Sequence, residues 1–422
     1  MTSFFRKRIG LFFISSIVVF FSIGISFLVA KHEGLSSLRV VDIPFYFGKL
    51  VANMMNGKGF QNSLYGITFQ THRLPFIPYF LLLIFKVFGE NLTTALVIKN
   101  ILFSPIIIYS IVLLKRVGMN VKDWILYSTL LITPQWLFHS FNFSYEEGYI
   151  LFILNLLFII ALFKVRLGKS EWIFITILMA SVLWIKSATL YLTFLFPFAY
   201  FLNHKNVRLL GIQALVLILS LTMLSGLHFK RAGKFTPSSS LSTFTVYHGF
   251  HDDFLDYFPK YTPDIMSPRI AAEIEGKDIN TEWEFYDFYK RRATDSIFKS
   301  IRHSSYLTFI KVRTFFFEIR PWAQYSLEGG LYKNPIHILG SVAMVFHRLV
   351  FLLNIGFIVA IFLKKKKHLY RPSVLYLLFF ILYCFPFVVG FGYERHYMGL
   401  LVPQLCFFAL CLRNGSINSQ VT

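Results

Sequence analysis

The sequence predicts an all-α integral membrane protein with about ten transmembrane helices, juxtamembrane helices and two large outer loops. Of 422 residues, 55% are hydrophobic and only 15% charged, too thin a charged coat for a soluble globule of this size. Apolar runs of roughly 18 to 25 residues, the length a helix needs to cross the hydrocarbon, are separated by short basic clusters. Those clusters fall on one side if the N-terminus is cytoplasmic, as the positive-inside rule expects.

Taken in order, the predicted spans are 9–30, 93–114, 123–140, 148–163, 171–186, 188–203, 209–228, 337–363, 373–390 and 398–412. An even number leaves both termini inside. The first run follows Arg6, Lys7 and Arg8 and has no small-residue cleavage site after it, so it reads as an uncleaved span. Residues 75–89, PFIPYFLLLIFKVFG, are short for a span and contain two prolines and Lys86, so they read as an interfacial or re-entrant helix. Counting them as a span would reverse the sidedness of every later cluster, from Lys115, Arg116 and Lys122 to Lys364–Lys367, Arg371 and Arg413.

The net charge of +21 would suit a nucleic-acid ligand if it formed a coherent face, but it sits in the connections between spans and reads as a topology signal with no nucleic-acid partner. Cys384, Cys406 and Cys411 all lie in the last two apolar runs, which leaves no disulfide framework for the outer loops. No internal repeat is present, and the absence of an added soluble domain after the last span predicts a single compact membrane domain over 1–422.

The first outer loop covers 31–92. In DIPFYFGKLVANMMNG, Asp42 can cap a helix, Pro44 fits its first turn and Gly57 stands where a C-cap belongs. Phe47, Leu50, Val51, Met54 and Met55 recur at helical spacing, which predicts a helix lying along the membrane surface. The second loop, 229–336, contains a Thr281-x-x-Glu284 capping box that opens an amphipathic stretch to about Tyr306, followed by the aromatic LTFIKVRTFFFEIRPWAQY. It is expected to fold over the outer mouth of the bundle and cover a site there.

Ionisable groups at the membrane edge are the informative ones, because charge near hydrocarbon is costly without a partner or a use. Four places stand out: Asp42; His72 and Arg73 in THRLPFIP; Glu146 and Glu147 in FSYEEGY; and Glu394, Arg395 and His396 in GYERHY. All fall on the outer side of the predicted topology. Each has a bland alternative: Asp42 as a helix cap, Arg73 as a headgroup anchor, one of the glutamates as a first-turn dipole partner, and Glu394 with Arg395 as an ion pair. Lys186, near a span end, can snorkel. His248, His251, Asp252 and Asp253 in VYHGFHDDF are metal-capable types, but their spacing matches no strong ligand pattern.

Three segments, VVDIPFYFGKLVANMMNGKGF, HRLPFIPYFLLLIFKVFGEN and ALVIKNILFSPIIIYSIVLLKRVG, together resemble the opening of the GT-C superfamily of polyprenyl-phosphate-sugar glycosyltransferases, in its protein-mannosyltransferase-like branch. The matching positions are Asp42, Tyr46, Gly57 with Gly59, Arg73 with Pro75 and Pro78, and Phe88 with Gly89. YEEGYILFILNLLFII and YERHYMGLLVP resemble later motifs of that branch. The pattern departs at Ile43, where the family often has a second acidic residue, and at Lys99, where it often has Arg.

The resemblance implies sugar transfer from a polyprenyl-phosphate donor to an acceptor hydroxyl on a lipid, glycan or protein. The leaving phosphate departs as a stable anion, so cations serve it better than a general acid, and Arg73, Lys186 and Arg395 are the candidates. Asp42 is the candidate base, a role that typically contributes ~10² to 10⁴-fold. Glu146 or Glu147 would orient the acceptor or hold a divalent metal ion; the Ile43 departure leaves that metal open. His72, Tyr46, His396 and Tyr397 complete the candidate set, and a single acting carboxylate implies inversion at the anomeric carbon.

Two other functions compete. A polyprenyl-linked polysaccharide polymerase or ligase shares the many spans and the large loop but gives no reason for the Asp and Arg-x-Pro-x-x-Pro of the first loop. A lipid-linked sugar transporter or flippase would place its polar groups near the bilayer midplane, whereas here they gather at one edge. The residue usage fits a bacterial inner membrane, with the site on the periplasmic face.

Overall fold

The computed structural model describes residues 20, 49–64, 66–117, 145–257, 267–317, 335–390 and 400–417. Among these the fold is helical, apart from one hairpin. The spans predicted at 9–30 and 123–140 lie outside the described residues, as does Asp42 with the start of its predicted helix; Lys49–Met55 (α1) is the described part. Gly57 follows it with φ 74, the left-handed conformation that a helix C-terminus favours.

Strands Asn62–Leu64 (β1) and Ile67–Phe69 (β2) pair antiparallel, with Asn62 opposite Phe69. This hairpin is an addition to the helical elements expected from the sequence. The segment predicted as interfacial is helix Phe76–Phe88 (α2), which buries Ile77, Leu81, Ile84 and Phe85 and exposes Leu83 and Val87. Pro75 and Pro78 stand at its N-cap and first turn, where missing N–H groups cost nothing.

Seven longer helices follow the predicted spans within a few residues: Leu92–Arg116 (α3), Tyr145–Leu162 (α4), Lys169–Leu183 (α5), Leu190–His204 (α6), Val207–Ala232 (α7), Pro335–Leu363 and Lys367–Val389. Leu401–Ile417 takes the place of the last predicted span. Asn91 and Asn206 cap α3 and α7 by accepting from Thr94 N and Leu209 N, each worth about 1 kcal/mol. By length and composition Val207–Ala232 and Lys367–Val389 are able to cross a membrane, and Phe76–Phe88, Ile153–Leu162, Arg348–Leu363 and Val402–Arg413 are shorter apolar segments.

Between α7 and Pro335, the described chain forms helices Ser242–Phe250 (α8), Phe254–Tyr257 (α9), Ser267–Ile274 (α10), Glu282–Lys299 (α11) and Ile301–Phe317 (α12). The three helices after them are α13, α14 and α15 in the order already given. The Thr281 capping box forms as expected, with Thr281 Oγ1 accepting from Glu284 N and Glu284 returning to Thr281 N. The amphipathic stretch does not run unbroken to Tyr306. Ser300 adopts extended backbone and divides it, so α12 sets off separately toward the bundle.

Two cores result. The larger runs through the bundle and includes Leu81, Ile111, Leu157, Met179, Phe196, Tyr376 and Phe407. The smaller joins β2 to α8, α10 and α11 through Phe69, Tyr247, Ile270, Phe285 and Tyr289. Its polar centre is Glu273, which accepts from Tyr247 OH and Tyr289 OH at 3.2 and 3.1 Å and pairs with Arg292 at 3.1 Å. Cys384, Cys406 and Cys411 are free thiols in the interior.

Polar contacts sort the helix termini into two sets. At one end Arg116 donates twice to Glu171, at 3.0 and 2.7 Å, Asn203 Nδ2 donates to Ala161 O at 2.8 Å, and Arg413 donates to Val117 O at 3.0 Å. These are the termini that carry the basic clusters. At the other end Phe76 N donates to Trp184 O, Arg231 donates to Tyr79 OH, and α12 meets the end of α14. The bundle therefore has a basic end and an end covered by the two long connections.

Candidate site at the covered end

Three segments far apart in sequence are tied together by one buried carboxylate. Glu282 opens α11, where an acidic side chain suits the helix dipole, and its Oε2 accepts from Thr71 N, Thr71 Oγ1 and Ser240 Oγ at 3.0, 3.0 and 2.8 Å. Ser240 N donates back to Thr71 O at 3.2 Å, and Ser239 Oγ donates to His72 O at 2.6 Å. Residues 68 and 281 add a parallel bridge. The loop that contains His72 and Arg73 is thus fixed from both sides.

His72 is 1% exposed, lies edge-on to Phe69 and, among the described residues, has no hydrogen-bond partner on either ring nitrogen. Burial, assisted by the neighbouring Arg73 cation, pushes its pKa down to about 3. It is therefore a neutral imidazole across the physiological range. Arg73 follows it at the surface of the same turn, half-buried, one residue after the loop is clamped.

The backbone contact from Phe76 N to Trp184 O carries this loop to the junction between α5 and α6. Lys186 belongs to that junction. Its carbonyl accepts from Thr189 N and Thr189 Oγ1, and its ammonium lies 5.6 Å from the centre of the Phe387 ring near the end of α14. The expectation that Lys186 ends a span at 171–186 needs correction: the helix stops at Leu183, and a short 3₁₀ turn, Ser187–Thr189, precedes α6.

Lys311 on α12 closes the arrangement. It is 1% exposed, and its ammonium donates to Gly249 O at 2.9 Å, Gly390 O at 3.1 Å and Val389 O at 3.4 Å, with the Phe250 ring 3.7 Å away. The carbonyls at the ends of α8 and α14 are orphans of helix termination, and a cation there answers both their hydrogen-bonding need and the helix dipoles. Gly249 and Gly390 meet backbone to backbone, with no space for a side chain on Gly249.

Comparison with protein-family models, with curated proteins and with solved structures finds no significant match.

Of the residues singled out from sequence, the fold brings His72, Arg73 and Lys186 to the covered end, and α14 ends there at Gly390. Glu146 and Glu147 lie in the first turn of α4, whose other terminus is held at the basic end by the contact between Asn203 and Ala161. Asp42, Tyr46, Glu394, Arg395, His396 and Tyr397 lie outside the described residues.

The VYHGFHDDF residues are spread over separate contacts. His248 packs against Phe244, His251 Nδ1 accepts from Asp253 N, and Asp252 pairs with Lys299 at 3.3 Å. Among the described residues no three His, Cys, Asp or Glu side chains converge as metal ligands.

Sequence reasoning missed Glu282 and Lys311. For Lys311 a signal existed, since it shares one helical stripe with Leu307, Thr314 and Phe315, all buried. For Glu282 there was none, because its partners are 42 and 211 residues away.

Proposed function

We propose that the chain is a polytopic membrane glycosyltransferase that moves a sugar from a polyprenyl-phosphate donor to an acceptor hydroxyl at the outer face of the membrane. About ten spans, cytoplasmic termini and a bacterial inner membrane complete the reading. The observation that carries it is the convergence of Arg73, Lys186 and the end of α14, five residues before Arg395, at the bundle end opposite the basic connections. Cations at that edge suit a lipid phosphate, whose charge increases as the glycosidic bond breaks.

In this reading the acceptor oxygen attacks the anomeric carbon while Asp42 takes its proton, and the bond to the phosphate oxygen breaks with both electrons leaving on the polyprenyl phosphate. Configuration inverts. Arg73, Lys186 and Arg395 hold the departing anion, and Glu146 or Glu147 orients the acceptor. If a divalent metal ion takes part, those glutamates with Asp42 are the oxygen ligands available for it.

The test is transfer of radiolabelled sugar from polyprenyl-phosphate donors to a lipid and glycan extract by the purified protein. Asp42→Asn is expected to lose transfer while donor binding survives, and Arg73→Gln is expected to weaken donor binding itself. Wild-type protein that transfers from none of the donors, with acceptor extract active toward another transferase, counts against the proposal. For the topology, a cysteine at Ser144 should react with an impermeant thiol reagent from outside and one at Ser170 should not.

A further inference from the structure

The basic end of the bundle has a groove with no part in the proposed reaction. It has a volume of about 60 Å³ and lies between α4, α6 and α14. Phe198, Leu202, Val374 and Leu378 are among the apolar residues that line it, and three of them, Phe198, Val374 and Leu378, are exposed on the outer surface of the bundle. Lys164 and Arg371 also line it, as does Asn203, whose amide group is already engaged with Ala161 O. Arg166 and Arg371 both lie within electrostatic reach of the His204 ring.

Lys164, Arg166 and Arg371 are all exposed, and among the described residues none has an acidic partner, whereas Arg116 on the same end is matched by Glu171. Three like charges held near one another without a counter-ion repel, so beyond marking one side of the bundle they add no pairwise stability of their own. An apolar groove that opens sideways and meets unpaired cations at one end has the polarity of a phospholipid: acyl chain along the bundle, phosphate at its rim.

We infer that this groove binds an anionic phospholipid of the inner leaflet, with one acyl chain between α6 and α14 and its phosphate on Lys164, Arg166 and Arg371. The inference rests on the membrane reading above but not on the glycosyltransferase reading. Each basic residue beside an anionic headgroup is worth about a fivefold change in affinity, so the three together are worth roughly a hundredfold.

Native mass spectrometry of the purified protein, titrated with phosphatidylglycerol or phosphatidylcholine, tests this. Wild type should retain phosphatidylglycerol in preference to phosphatidylcholine. The triple variant Lys164→Gln, Arg166→Gln, Arg371→Gln should bind phosphatidylglycerol roughly a hundredfold more weakly. A control with the same charge change elsewhere, Lys58→Gln, Lys230→Gln, Lys290→Gln, should bind as wild type does. All six are surface residues, so folding is preserved in both variants. Equal retention of the two lipids by wild type, or equal loss in both variants, overturns the proposal. Labelling of a cysteine at Ser170 from outside would overturn the inner-leaflet assignment while leaving the binding result to stand on its own.

Discussion

The Lys311 ammonium lies 3.1 Å from the carbonyl oxygen of Gly390, and this bond joins the long connection after α7 to the end of α14. The same ammonium reaches Gly249 O, so a single cation ties the end of α8 to the end of α14. Arg395, a phosphate ligand in the proposed reaction, follows Gly390 by five residues in sequence.

Lys311→Met keeps the length and apolar packing of the side chain but leaves three carbonyls without their donor. It should destabilise the protein by about 2 to 3 kcal/mol and lower transfer more than donor binding. Thermal unfolding in detergent, read beside the transfer assay, checks both. Equal stability of variant and wild type would mean that water replaces the ammonium.

Burial outweighs the favourable carbonyls and pushes the Lys311 pKa down from an ordinary 10.5 to about 7, so the ammonium that can donate to all three is the form below that pH. Between those values the unfolded chain binds a proton that the folded chain has released, so stability should rise as pH rises from about 7 toward 10.5. Lys311→Met should remove that rise. An unchanged slope in the variant would assign the pH dependence to another group.

His72 has the same sign in a different window. Its folded pKa of about 3 lies below the ordinary 6.5, so its contribution to stability is full above 6.5 and is lost as pH falls toward 3. His72→Phe should flatten the acid limb of a stability profile between those values. No group titrating near 6.5 in the transfer profile should be traceable to His72.

Gly249→Ala should be among the most damaging single-methyl changes in the chain, because its Cβ would run into the backbone of Gly390. A loss of roughly 1 to 3 kcal/mol is expected from overpacking against backbone. Gly226→Ala on α7 meets open space and should be neutral or stabilising by up to about 1 kcal/mol. Comparing the thermal midpoints of the two separates a contact effect from a helix-propensity effect.

Glu282→Ala removes the acceptor for two donors of Thr71, on the loop that contains His72 and Arg73, and for the Ser240 hydroxyl. Amide exchange should accelerate over residues 70–74 and 238–241 and leave the bundle unaffected, whereas Glu282→Gln, which keeps one carbonyl oxygen, should lie between. Uniform acceleration across the protein would show that Glu282 supports the whole fold and not this loop in particular.

By itself the sequence determined what the local rules of hydrocarbon and helix chemistry determine: the apolar helices, the basic clusters that share one end, the capping box at Thr281, and the helix led by Pro75 and Pro78. Each is set by residues within a turn or two of one another, or by the cost of placing charge in lipid, so each is legible without knowing the fold. His72, Arg73 and Lys186 were marked by the same reasoning as charges at a membrane edge. The tertiary structure alone decided that Glu282 would hold Thr71 and Ser240, that Ser300 would break the amphipathic stretch, and that Lys311 would be buried against the carbonyls of Gly249 and Gly390. Those outcomes depend on which surfaces meet when the long connections fold onto the bundle, and a polar side chain in a helix carries no local mark of the distant groups it will satisfy.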